Sequence, residues 1–124
     1  MSWLLASVMV ASVAMSAQAV MADEMNVALR LIATIQNKGA YQEADFVTPL
    51  GERGKAFLST YSRCDVAYVR HSLVRPAGSS CPYVQEPGSI SLGWKCKRVP
   101  RNTPTHLTLF FKGGKIAKIE THKG

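Results

Sequence analysis

Few residues of this 124-residue chain could do chemistry: three cysteines, three histidines and eight carboxylates. A carboxylate or imidazole base beside a phenol that polarises a carbonyl would serve proton transfer at carbon. By type, Asp45, Asp65, His71 and His106 are the candidate bases and Tyr68 the candidate polariser. None sits in a motif that fixes such a role, so no catalytic residue is assigned. Metal chemistry has less to work with, because the cysteines and histidines lack the close paired spacing of structural zinc sites. His71 and His106 would meet only if their strands neighbour and their faces agree. No metal or cofactor is expected. Cys81, within Ser79-Ser80-Cys81-Pro82-Tyr83, is the exposed thiol candidate, but no helix N-terminus or adjacent base is evident to lower its pKa.

The cysteines have a second use. Cys64, Cys81 and Cys96 allow three disulfide pairings with one thiol left over. A bridge involving Cys81 is expected, because that residue lies in a long Pro/Gly/Ser loop that is costly to order. Closing a loop of about 15 residues is worth about 3 kcal/mol in the chain-entropy model.

Such bridges persist outside reducing compartments, and the N-terminus points the same way. Leu4 to Ala14 is an apolar run of signal-peptide length, followed by the small-x-small pattern Ala17-Gln18-Ala19. This predicts a signal peptide over 1–19, cleaved after Ala19 or after Ala22, and one domain over 23–124 in the periplasm or outside the cell. An uncleaved anchor and a buried helix are the alternatives. The run is short for a membrane span, so no span is expected after cleavage. Met1-Ser2-Trp3 carries no Lys or Arg.

Charge is uneven along the chain, whose formal total is +7. Val20 to Thr60 holds four basic and five acidic residues, whereas Tyr61 onward holds eleven basic and three acidic. Lys95, Lys97, Arg98 and Arg101, with Lys112, Lys115 and Lys118, would form a basic surface for a polyanion such as lipopolysaccharide, an acidic glycan or a nucleic-acid backbone. No aromatic residue interleaves with these lysines as a stacking platform requires. Solubility and protection of exposed strand edges are the plainer uses of such lysines.

The elements that must position these residues change period at Cys64. Asp23-Glu24 is suited to open a helix, and Met25, Leu29, Ile32, Ala33 and Ile35 follow a 3.6-residue stripe that stops before Gly39, the expected C′ glycine. A short turn or helix over 40–46 ends at Thr48-Pro49. Arg53 to Tyr61 gives a second helix with Ala56, Phe57 and Tyr61 on its apolar face. Asp65 to Leu73 is then a strand with Val66, Tyr68 and Arg70 on one face and Ala67, Val69 and His71 on the other. Val74 to Ser89, with three Pro and two Gly, is expected to be a loop. From Ile90 the alternation is clean: Ile90, Leu92, Trp94 and Cys96 face one way. The chain closes with a hairpin around Gly113-Gly114, the dipeptide a two-residue type I′ turn needs. Pairing Lys112 with Lys115 and continuing outward sets Phe110 beside Ala117 and Leu109 beside Lys118, which leaves apolar residues on both faces. One face would take the helices and the other a ligand cavity or a subunit contact. The fold class is α+β, with N-terminal helices packed on a curved antiparallel sheet of about four strands.

Two segments carry a resemblance. Phe110-Phe111-Lys112-Gly113-Gly114-Lys115-Ile116 is similar to the "F-x-D/G-G-K-I" hairpin of the nuclear transport factor two-like superfamily, which includes SnoaL-like cyclases, ketosteroid isomerase relatives and the cystatin-like cone fold. Gly51 to Leu58 is similar to that family's "G-x-x-x-I-x-x-F" helix. The chain is shorter than usual for the family. The resemblance implies helices lying in the concavity of a curved sheet and a scaffold that hosts isomerases, cyclases and non-enzymes alike.

Together these features predict an exported, non-catalytic domain that binds a small apolar ligand or a protein partner, including a second copy of itself. Tyr68, Ile90, Leu92 and Trp94 would line its pocket. A polyanion-binding surface is the alternative, and an isomerase-like enzyme a further one.

Overall fold

The computed structural model describes residues 16–75 and 82–122. Helix α1 (Ala17–Asn37) starts six residues earlier than the acidic pair suggests. Ser16 caps it, its hydroxyl accepting from the Ala19 backbone N–H at 3.1 Å. Ala17, Gln18, Ala19, Met21 and Ala22 are strong helix formers and carry the helix straight through 17–22. Asp23 and Glu24 therefore lie inside α1, and the expected cleavage positions, Ala19 and Ala22, lie in its first two turns. The apolar run 4–14 is outside the described residues. At the other end Lys38, not Gly39, takes the left-handed conformation, with φ 53°. Its N–H donates to the Ile35 carbonyl and the Gly39 N–H to the Thr34 carbonyl, the paired bonds of a Schellman stop.

A 3₁₀ turn over Glu43–Asp45 leads to Phe46, which bridges to Ile116 on the last strand. Asp45 accepts two bonds from the Arg30 guanidinium, at 2.8 and 3.0 Å, and so ties this turn to α1. The same pairing holds the guanidinium above its usual pKa. Helix α2 (Glu52–Ser59) follows and passes into a 3₁₀ turn over Thr60–Arg63, and it buries Leu58 where the stripe expected Ala56.

The sheet is a meander of four antiparallel strands in chain order: β1 (Asp65–Val74), β2 (Val84–Lys95), β3 (His106–Lys112) and β4 (Lys115–His122). The β3–β4 turn has φ of 59° at Gly113 and 78° at Gly114, as a type I′ turn requires. β2 begins at Val84, so the last third of the expected Val74 to Ser89 loop is strand, with Val84 pairing to Val74.

Three irregularities decide which side chains share a face. In β4 the register slips between Phe110 and Phe111, so Leu109 pairs with Ile119 and Phe110 with Lys118. The expected uniform pairing is thereby corrected. The extra residue, Ala117, lets Ile116 and Ile119 face the same side although they are three residues apart. In β1 a second slip at Ala67 sets Val66 against Trp94 and Tyr68 against Gly93, so Val66 and Tyr68 point to opposite faces. A third, between His71 and Leu73, bulges β2 over residues 86–89.

The result is one apolar face and one polar face, not a sheet apolar on both sides. On the apolar face Ile90, Leu92 and Trp94 of β2, Leu107 and Leu109 of β3 and Ile116 of β4 are buried under Val27, Ala28, Leu31, Ile32 and Ile35 of α1. Each large side chain so buried contributes about 1.5–3 kcal/mol. Tyr61 lies fully buried against this core, stacked on Trp94 with centroids 5.1 Å apart and meeting Phe57 edge-on at 5.5 Å. Its hydroxyl donates to the Pro104 carbonyl. The Trp94 indole N–H is buried without a partner among the described residues.

The disulfide joins Cys64 to Cys96. This corrects the expected bridge through Cys81, which lies outside the described residues. The physical reason is register: Asp65 pairs with Lys95, which places the flanking cysteines opposite each other with Cα atoms 4.5 Å apart.

Candidate ligand-binding groove

The residues expected to line one pocket do not meet. Ile90, Leu92 and Trp94 are core residues beneath α1, while Tyr68 stands on the other face of the sheet, across Gly93. A Cβ at Gly93 would lie 2.2 Å from the Tyr68 ring, so the ring lies flat over that glycine. Its hydroxyl is hydrogen-bonded to His106 Nδ1 at 2.7 Å, and Arg70 covers its outer side at 4.7 Å.

The candidate bases are dispersed as well. Asp45 is occupied by Arg30. Asp65 is exposed at the start of β1. His71 faces the helix and His106 the polar side, so the two imidazoles cannot share a metal. Among the described residues no three His, Cys, Asp or Glu side chains gather as a metal site would need. No helix among them is long and apolar enough to cross a membrane.

His71 has a partner that sequence reasoning missed. Its Nε2 lies 3.1 Å from Glu24 Oε1, which also accepts the Gly88 N–H at 2.9 Å. Both side chains are at most 4% exposed. A carboxylate only accepts, so a ring proton on Nε2 would complete the pair. The cluster ties α1 to β1 and to the bulge of β2. A signal for it existed: Glu24 falls on the same helical stripe as Ala28, Leu31 and Ile35, where a lone carboxylate must find a donor.

What the fold does form is an open groove of about 480 Å³ between α2 and β4. Phe46, Leu50, Phe57, Leu58, Ile116 and Ile119 supply its apolar lining, and Arg53 also lines it. Three local features build it. The Phe46–Ile116 bridge and the Val47 N–H to Ile116 carbonyl bond cover only the first part of β4's outer edge. The bulge at Ala117 turns Ile119 toward the helices. Helix α2 supplies Arg53, Gly54, Phe57 and Leu58, the i, i+1, i+4, i+5 positions of one side. The sequence signalled the side chains but not the groove, because Ile119 belongs there only after the bulge.

The expected basic surface is divided. Lys95, Lys97 and Arg98 line a small depression of about 260 Å³ with Arg63 and Asp65, at the end of β2. Lys112 and Lys115 flank the Gly113-Gly114 turn at the opposite end of the sheet. Lys118 is engaged by Glu120 at 2.8 Å and lies over the Phe110 ring. That pairing holds the Glu120 carboxyl below its usual pKa. Arg101 is exposed in the β2–β3 connection.

No protein-family model, curated protein or solved structure matches this chain. The function must therefore be argued from the site.

Proposed function

We propose that the protein is an exported, non-catalytic binding domain whose α2–β4 groove holds a small amphipathic molecule with an apolar chain and an anionic head. The observation that carries this reading is the lining: six large apolar side chains with two cations, Arg53 and Lys118, the second of them paired with Glu120. No carboxylate pairs with Arg53 among the described residues. An apolar tail would lie on Ile116, Ile119 and Leu50, and a carboxylate or phosphate head would meet Arg53 through charge-assisted hydrogen bonds. The N-terminal apolar run and the Cys64–Cys96 bridge support a location in an oxidising compartment. The cystatin-like layout is compatible with one helix laid on a four-stranded meander.

Calorimetric titration with straight-chain fatty acids of increasing length tests the reading. Each added CH2 is expected to raise affinity roughly fourfold until the groove is filled, the equivalent of about 0.8 kcal/mol per buried CH2. Leu50→Arg should abolish binding, and Arg53→Gln should weaken the acids while sparing the matching alcohols. Affinity that ignores chain length, or survives Leu50→Arg, would rule the groove out.

A further inference from the structure

On the opposite side of α2 lies a wider groove of about 740 Å³. Its walls include Lys38 from the end of α1, Lys55 from α2, Arg63 from the 3₁₀ turn and Arg98 from the β2–β3 connection. Arg63 and Arg98 also line the depression that holds Lys95 and Lys97, so the two hollows adjoin. Six cations thus line this trough of two adjoining hollows, together with two carboxylates, Glu52 and Asp65. Glu52 is almost fully exposed and reaches only Lys55, at 3.8 Å. For Lys38, Arg63 and Arg98 no carboxylate lies within ion-pairing distance among the described residues.

Such a cluster is self-repelling unless something compensates it, and the fold holds it together covalently. The Cys64–Cys96 bridge joins the residue after Arg63 to the residue before Lys97. Four of the six cations, Arg63, Lys95, Lys97 and Arg98, lie within two residues of a bridged cysteine. The other two come from the near-neutral helical half, so the trough crosses the charge boundary seen in the sequence. Tyr41, Thr60 and Ser62 are also lining residues and add hydroxyl donors, while the Ser59 hydroxyl donates to the Ala56 carbonyl. One aromatic ring among them is too little to stack successive bases.

We infer that this trough is a binding site for a short chain of clustered phosphate or sulfate groups, clasped by the disulfide and independent of the amphiphile groove across α2. A phosphate chain and a sulfated glycan share the chemistry that would be recognised: multiple tetrahedral anions on a flexible backbone, held by lysine and arginine donors.

The test measures binding of the full chain, in its oxidised form, to inorganic tripolyphosphate and to a size-defined heparin oligosaccharide across a range of salt. Binding is expected at 50 mM salt and to fall steeply as salt rises. Arg63→Gln/Arg98→Gln should weaken it at least tenfold and reduce the slope of log K against log salt by about 1–2. Lys112→Gln/Lys115→Gln removes the same charge from the far end of the sheet and should change affinity less than twofold. Lys38→Gln/Lys55→Gln provides a second groove variant, expected to lose several-fold, should the arginine pair disturb folding. Tighter binding of tripolyphosphate would identify phosphate as the source, and of heparin, sulfate. Equal losses in the groove and tip variants would mean nonspecific attraction to net charge and would overturn the site, as would failure of both probes to bind at 50 mM salt.

Discussion

Helix α2 is two turns long and separates two unlike hollows. Arg53, Gly54, Phe57 and Leu58 look onto β4, and Glu52, Lys55, Ala56 and Ser59 look toward Arg63 and Arg98. Each set follows helical spacing, so one short amphipathic segment gives an apolar wall to one groove and a charged wall to the other. The two are held differently. The apolar side continues into the core through Leu58 and the Phe57–Tyr61–Trp94 stack. The basic side rests on the core at Ile35, Tyr41 and Val99 and also sits beside the disulfide. Hydrophobic burial can shape a pocket unaided, whereas a cluster of like charges needs a covalent or ligand restraint.

Breaking the restraint should separate the two sides. Glu24→Ala and His71→Ala each leave a buried polar partner unmatched and should destabilise the whole domain by about 3–5 kcal/mol, read by chemical denaturation. Cys64→Ala/Cys96→Ala should cost about 3–4 kcal/mol for a separation of 32 residues. Whatever protein stays folded is expected to keep amphiphile binding and lose polyanion affinity; loss of both together would make the two grooves one unit. Gly93→Ala forces the Tyr68 ring off the sheet and should cost about 1–3 kcal/mol without touching either groove. Lys38→Gly relieves a left-handed lysine and should stabilise by about 1 kcal/mol, raising the melting temperature while weakening the basic groove slightly.

The smallest effect is spectroscopic. Burial raises the pKa values of Tyr41 and Tyr61. The unfolded chain loses these protons first, so the stability they contribute is intact below the ordinary phenol pKa of about 10 and is lost as pH rises through the folded values. Absorbance titration should show both ionising above the ordinary phenol range. Tripolyphosphate should push Tyr41 further up and leave Tyr61 where it is.

How much of this was legible depended on the regularity of each strand. Ile90, Leu92 and Trp94 alternate without interruption against Leu107 and Leu109, and their buried face could be read from the residue types. The Gly113-Gly114 turn was equally plain. Val66, Tyr68 and Ile119 were not, because a single bulged residue reverses a face and leaves no mark in hydropathy. Ser16 was obscured by the apolar run before it, and Asp23-Glu24 looked like a helix start because acidic residues do favour one.

By itself the sequence determined the α+β class, the closing hairpin, the central strands of the core and the excess of positive charge after Tyr61. These depend on local period and composition, which neighbouring residues set. Only the tertiary structure decided that Cys64 bonds to Cys96, that Glu24 meets His71, and that Lys38 and Lys55 join Arg63 and Arg98 across 60 residues of chain. It also placed apolar and basic hollows on opposite sides of α2. Those outcomes depend on strand register and on three bulges, which the packing of the whole sheet sets and no local pattern records.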